Sequence, residues 1–418
     1  MYFCLKQREM RYFLPLLLSI FIFSCKETQI ASITMKDDVM VLAHDSLKGR
    51  KTGSKEEKIA ADYIAKRFSD MGIAPKGKEG YFQEFTYKAS KNPHQEAIFT
   101  LETNDSTVKG HNVVAYLDNQ AENTVVIGAH YDHLGMGGEG SLYREGPAIH
   151  NGADDNASGV AMMLHLTEGL KQKGAPKGNN YLFIGFSGEE EGLLGSNYYV
   201  KNPTIDLQKV TYMINMDMVG RLNNQNTLAV YGIGTSPIFK QVVNENAGEL
   251  TIIENESGVG PSDHTSFYLS EIPVLHFFTG QHEDYHKPTD DTEKINFEGM
   301  EMVSKYILSI IKDLDKQDKL PYQKTKNESE VVPDFKVTLG VVPDYLFGGK
   351  GMRIDGVSED KPAQKAGLQK GDIVLKMGEY EVIDMMSYMN SLSKFEKGQT
   401  TNVTVERKGE LIEVAVTF

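Results

Sequence analysis

The sequence predicts an α/β fold: a largely parallel mixed sheet covered by helices on both faces, followed by a small β-rich domain. Three observations carry this. The runs "TVVIGAHYD", "NYLFIGF", "VTYMINMDMVG" and "IPVLHFFTG" are apolar almost without interruption, as strands covered on two faces are. Helical patterns separate them; "SGVAMMLHLTEGLKQKG", for example, ends on a glycine stop. A polar stretch, "KQDKLPYQKTKNESEVVPDFK", then divides this body from a C-terminal segment of different texture.

In chain order, Lys6, Arg8 and Arg11 precede the apolar run "YFLPLLLSIFIF", which is short for a membrane span. It ends in "IFSC", with Ser24 before Cys25. The segment resembles a bacterial lipoprotein signal, with Ile22 where Leu is usual. That resemblance implies export and a lipid anchor on Cys25 in a cell-envelope membrane, at its periplasmic or surface face, with residues 1–25 as the signal segment. Residues 34–73 read as helical and surface-facing, with Ile59, Tyr63, Ile64 and Phe68 at helical spacing. Short β-rich runs follow, including "EAIFTLET" and "HNVVAYL". The alternating strands and helices come next and close with a helix near 296–315. The expected boundaries are a body over 26–318, a linker over 319–333 and a last domain over 334–418.

Composition narrows the function. Hydrophobic residues are 40% and charged residues 24% of the chain, as in a globular body. A net charge of −14 argues against nucleic acid and against electrostatic attachment to an anionic membrane, which leaves membrane contact to the lipid anchor. Both cysteines, Cys4 and Cys25, lie near the N-terminus, so the body has neither a disulfide framework nor a thiolate metal site.

The polar residues of the body are ordered. His130 ends one strand, Glu189 and Glu190 follow another, Asp217 ends a third, and His286 lies in the loop after a fourth. Asp155, in "GADDNASG", stands just before a helix. Ligands of open α/β sheets gather beyond the carboxyl ends of the strands, so these residues can converge. Two imidazoles and three carboxylates without thiols suit zinc and tolerate manganese or cobalt. Five ligands exceed the usual catalytic zinc and suit two ions sharing a bridging carboxylate. Asp155 can be that bridge, the metals outweighing repulsion from Asp154. If Glu190 is a ligand, Glu189 can stand free as a base over the reacting water.

"HYDH", "GADDNASG", "SGEEEGLLGS", "NMDMVG" and "YHKPTDD" together resemble the ordered motifs of the co-catalytic dizinc aminopeptidases of the bacterial leucyl-aminopeptidase type, over roughly 34–315. The resemblance implies two Zn2+ per chain, with His130 and Asp217 on one ion, Glu190 and His286 on the other, and Asp155 between them. It makes Glu189 the general base, Asp132 the carboxylate that orients His130, and Tyr285 a stabiliser of the oxyanion. It also implies a cis peptide at Asp155–Asn156. Peptides would be the substrates, cleaved at their N-termini. His133, His150, His165, His276 and His282 receive no role, and Asp263 and His264 in "PSDHTSF" no assigned chemistry.

Three rivals share the fold. A glutaminyl cyclase would resemble its relatives in having "TDSA" for "DDNA" and Trp before the last ligand; this chain has Tyr285 there and no Trp. A carboxypeptidase-type relative needs a basic pocket. A non-enzymatic relative would have lost ligands.

Residues 334–418 resemble a PDZ domain, most closely at "AGLQKGDIVLKMG". That likeness implies a groove for a C-terminal peptide, expected at the Gly-rich stretch Gly349, Gly351, Met352 and Ile354, which would make a PDZ-tethered peptide-binding protein a further alternative. Packing on the body or dimerisation is the competing role.

Overall fold

The computed structural model describes residues 33–88, 98–104, 106–138, 140–325, 336–344, 347, 349–358 and 360–418. The signal segment expected at 1–25, with Cys25, lies outside them. Among the described residues no helix is long and apolar enough to cross a membrane.

The body starts with α1 (Met35–Leu42), capped by Thr34 and Asp37, and α2 (Lys55–Asp70), whose first turn is capped by Ser54. Then come β1 (Ala74–Pro75), β2 (Phe82–Lys88), β3 (Ile98–Phe99), β4 (Thr107–Leu117) and β5 (Asn123–His130). From there strands and helices alternate: α3 (Gly159–Lys171), β6 (Asn179–Phe186), α4 (Leu194–Lys201), β7 (Val210–Met216), β8 (Thr227–Tyr231), α5 (Phe239–Glu245), β9 (Thr251–Glu254), α6 (His264–Tyr268), β10 (Val274–Phe278) and α7 (Phe297–Leu314).

The sheet order is β3-β2-β4-β6-β5-β7-β10-β8-β9, with β1 beside β4. Its centre, β6-β5-β7-β10, is parallel, and antiparallel pairs flank it on both sides. The period-2 alternation of a strand explains why the central runs are apolar throughout. On one face Val125, Ile127, Phe183, Ile214 and Leu275 pack with α1, α2, α3, α5 and α7. On the other, Val126, Leu182, Ile184, Met213 and Val274 meet Tyr199 of α4 and Phe267 of α6.

The N-terminal helices differ from their expected surface role. On α2, Ala60, Ala61, Ile64, Ala65 and Phe68 are buried, whereas Ile59 is 51% exposed. Charged residues on its inner side are buried too. Arg67 holds Asp38 through two bonds of 2.7 and 2.9 Å, and Tyr63 donates to the same carboxylate at 2.6 Å. Breaking a buried ion pair strands its partner charge. Asp38→Asn should therefore destabilise the body by about 3 kcal/mol, with Glu168 taking up part of the charge of Arg67. Denaturant unfolding measures this; a change within error would mean that solvent reaches the pair.

The C-terminal domain has its own core, centred on Leu339, Met352, Ile354, Val374 and Val403. It comprises β11 (Val341–Pro343), β12 (Met352–Val357), α8 (Pro362–Lys365), β13 (Ile373–Met377), β14 (Tyr380–Glu381), α9 (Met385–Leu392), β15 (Thr400–Arg407) and β16 (Glu410–Thr417). Its sheet is antiparallel, in the order β11-β12-β13-β15-β16. The start of the segment read as a linker is tied to the body. Leu320 is buried and donates to Thr211, Gln323 donates to the carbonyl of Thr235, and Thr325 bonds Tyr268.

Candidate metal centre

Four of the five expected ligands leave the carboxyl ends of adjacent parallel strands. His130 is the last residue of β5, and Asp217 follows β7 directly. Glu190 lies in the turn after β6, and His286 lies in the loop after β10. Asp155 enters from the turn before α3. Its two oxygens face the two imidazoles, Oδ1 at 3.4 Å from His130 Nε2 and Oδ2 at 3.2 Å from His286 Nε2. Asp217 Oδ1 lies 3.3 Å from His130 Nε2, and Glu190 Oε2 lies 3.3 Å from His286 Nε2. The Asp155–Asn156 peptide is cis.

These separations test the fit of a metal. Donors sharing a four-coordinate zinc with bonds of about 2.0–2.1 Å stand about 3.3 Å apart. The imidazole and carboxylate donors match that spacing on both sides of Asp155, and the chemistry of the set suits zinc.

Charge balance follows the same geometry. Burial disfavours the charged form of His130, but Asp217 and Glu189 outweigh it and raise its pKa well above the ordinary value. His286 is raised likewise by Glu190 and Asp155 against its burial. Burial would raise Glu190, yet His286 and His133 bring it well below the usual carboxylate range. Glu189 moves the other way: burial, with Asp217 and Glu190 nearby, lifts it well above that range against the pull of His130. Neighbouring glutamates in one turn thus have opposite tendencies in the metal-free site.

Asp132 stands beside the His130 imidazole, and its side chain helps to raise the pKa of that ring. The nearest Asp132 atom to His130 Nδ1 is its carbonyl oxygen, at 3.3 Å, with carboxylate Oδ1 at 3.7 Å. The carboxylate also accepts the amides of Glu189 and Glu190 at 3.1 and 3.3 Å and the hydroxyl of Thr52 at 2.9 Å. It therefore braces the glutamate turn. The charge of Asp154 is met by protein groups. Its carboxylate points away, accepting from the amide of Gly220 at 2.6 Å and pairing with His282 at 3.2 Å. Asp290 accepts the amides of both Asp154 and Asp155. Tyr285 stacks on His286, with ring centroids 3.8 Å apart.

Sequence reasoning missed the support beneath the centre. Arg50 is fully buried and donates to the carbonyls of Leu42, Tyr131, Asn151 and Gly152, which tie the His130 and Asp155 segments together. Burial lowers its pKa to about 10, with Asp132 and Asp155 supporting the charge. Its turn requires Gly49: φ is +70°, and a Cβ would lie 2.3 Å from the carbonyl of His150. Glu57 accepts from the Tyr131 and Ser187 hydroxyls at 2.7 and 2.6 Å. The polar stretch "GRKTGSKEE" was the available signal, since it places two glycines beside charges that the helix pattern does not need.

Beside Asp217, Met218, Tyr231, His276, Phe278 and Tyr285 line a largely apolar recess that is part of a cavity of about 80 Å3 with the ligands on its other wall. His276 is stacked on His264 at 4.4 Å, and burial lowers its pKa to about 4, so this wall is uncharged near neutrality.

The expected PDZ peptide site needs correction. Strand addition requires an open edge. β12, which contains Met352 and Ile354, is flanked by β11 and β13. Gly351 serves packing: its amide donates to Ile383, and a Cβ would lie 2.7 Å from the carbonyl of Val374. Gly349 precedes the same enclosed strand. Among the described residues the open edge beside β12 belongs to β11, which follows the turn at Gly340, where φ is +75°.

A buried centre of this donor set, opening into a cavity at the ends of a covered parallel sheet, is suited to hold divalent metal. Residues 112–311 match the model of peptidase family M28, and residues 323–418 match that of the PDZ domain. The chain thus carries a region of the peptidase family M28 pattern followed by a PDZ domain. A probable leucine aminopeptidase of Trichophyton verrucosum is 27% identical over 226 residues, 51% of this chain and 60% of that one. The chain spans about half the length of the curated relatives it matches, 60%, 57% and 47% for three of them. Two solved structures share the fold. A Zn-dependent exopeptidase from Parabacteroides distasonis has a TM-score of 0.53 at 19% identity, over 67% of this chain and 97% of that one. A glutaminyl cyclase from Bacteroides thetaiotaomicron has a TM-score of 0.50 at 17% identity, over the same shares.

Proposed function

We propose that this chain is a dizinc exopeptidase that removes apolar N-terminal residues from peptides. One observation carries the reading: a single carboxylate, Asp155, presents one oxygen to each of two imidazoles, and each imidazole has a further carboxylate at ligand spacing. His130 and Asp217 would hold one zinc, Glu190 and His286 the other, and Asp155 both. When bound, the ions supply Lewis acidity toward the scissile carbonyl and acidify the attacking water. Glu189 takes the proton of that water and returns it to the leaving amine. Tyr285, stacked beside His286, is placed to donate to the oxyanion. The recess of Met218, Tyr231 and Phe278 receives the first side chain, and its uncharged wall disfavours an acidic one.

The relative named leucine aminopeptidase supports the N-terminal specificity, and the neighbour titled Zn-dependent exopeptidase supports the metal. The lipid anchor on Cys25 and the envelope location belong to the same proposal and rest on the leader sequence alone. The PDZ domain would take a C-terminal peptide as an added strand along β11.

A panel of free-amine, N-blocked and N-terminal glutaminyl peptides, with zinc supplied, tests this. Free-amine peptides with Leu or Phe first should be cleaved, and blocked ones should not. Cyclisation of glutaminyl peptides without cleavage of the others would overturn the reading in favour of a cyclase. The same panel on a chain ended after Thr325, which keeps the contacts of Leu320–Thr325, should give unchanged dipeptide rates. A loss confined to long peptides would support capture by the PDZ domain.

A further inference from the structure

The motif "HYDH" ends in a histidine that the proposed chemistry does not use. His133 is 1% exposed. Its Nδ1 lies 2.6 Å from Glu190 Oε1 and 3.8 Å from Asp155 Oδ2. Its amide donates to the carbonyl of Arg50 at 3.3 Å, so it hangs from the turn that the buried guanidinium fixes. Gly152 closes the other side, where a Cβ would lie 2.6 Å from the ring. The imidazole is therefore held by packing and aimed at Glu190.

A buried histidine here is either another metal ligand or a holder of one. Spacing separates the two. The four contacts between each histidine ligand and its carboxylates are 3.2–3.4 Å, the separation of donors sharing one ion. A contact of 2.6 Å is the length of a strong charge-assisted hydrogen bond. A carboxylate only accepts, so the proton sits on Nδ1.

We propose that His133 is a positioning residue for the second zinc site: its Nδ1–H holds Glu190 Oε1, which leaves Oε2, 3.3 Å from His286 Nε2, as the oxygen that faces the ion. The proposal rests on Glu190 and His286 being ligands. A carboxylate fixed at one oxygen cannot turn to chelate with both. A coordination position then stays open for water or substrate, as a catalytic zinc requires.

The test uses the full chain with His133→Phe and His133→Asn, read by zinc affinity in chelator competition and by the visible spectrum of the cobalt(II)-substituted protein. Phe keeps the ring and removes the donor. It should weaken one of the two ions by about 10–100-fold, the usual effect of losing an outer partner, and lower the cobalt absorption as Glu190 gains its second contact. Asn places an amide N–H near the position of Nδ1–H and is a poor zinc ligand. It should keep both the affinity and the wild-type spectrum. If Asn loses the ion as Phe does, His133 is itself a ligand and the proposal falls. It falls equally if Phe leaves affinity and spectrum unchanged. Should the Phe variant not fold, the Asn variant decides alone. Glu190→Gln tests the underlying reading separately: wild-type affinity for both ions there would remove Glu190 from the ligand set, whatever His133 does.

Discussion

Glu189→Gln should leave a folded protein with both zinc ions and lower kcat by at least about 10²–10⁴-fold, the contribution of a positioned proton acceptor. The substitution keeps shape and removes only the ability to take and return a proton. Glu189 Oε2 stands 3.9 Å from His130 Nε2, outside the spacing of the ligand pairs, whereas Glu190 is within it. Glu190→Gln should therefore lower metal affinity, with activity partly recovered at high zinc. The pair of results must be asymmetric. Metal analysis beside steady-state kinetics decides it: near-normal turnover of a zinc-loaded Glu189→Gln protein would refute the mechanism. Metal loss there, with retention in Glu190→Gln, would exchange the two roles.

Asp155→Ala should lose both ions rather than one, and activity with them. Each oxygen of this carboxylate faces a different histidine, so its removal deprives both sites of a donor. It also leaves His130 facing Asp217 and His286 facing Glu190 without the anion shared between them. Zinc content after dialysis against a weak chelator, with the melting temperature of the same samples, measures the result. Loss of a single ion would make Asp155 a terminal ligand and the two sites independent. The backbone should survive, because the amides of Asp154 and Asp155 are held by Asp290 rather than by the side chain removed.

The parts of this centre that were legible in the sequence sit at the ends of strands. His130, Asp217 and the glutamate pair each interrupt a long apolar run, and a polar residue at such a point is conspicuous. The fold was legible for the same reason, since buried parallel strands have no polar face to blur the pattern. What stayed hidden depends on where side chains point after the chain has folded. Arg50 and Glu57 lie in a polar stretch that looks like a solvated surface, and nothing local says that their charges turn inward. The carboxylate of Asp132 was expected to serve the imidazole two residues away. It also crosses to the next turn of the sheet, 57 residues on, which no local pattern announces. The error at Gly349 and Gly351 arose from taking a glycine pair as a ligand loop. Which strand keeps a free edge depends on sheet order, and sheet order is a long-range property.

The support beneath the centre also has a consequence for how the body assembles. Arg50 reaches across 81 residues to Tyr131 and 102 to Gly152, and Glu57 reaches across 130 to Ser187. Contacts of such separation form late, because the entropy of closing long loops opposes them until most of the sheet exists. A nascent chain that has made α1 and α2 holds the clamps with nothing yet to clamp, and one that has reached β7 still lacks His286. The proposed centre is therefore complete only when the whole body has closed.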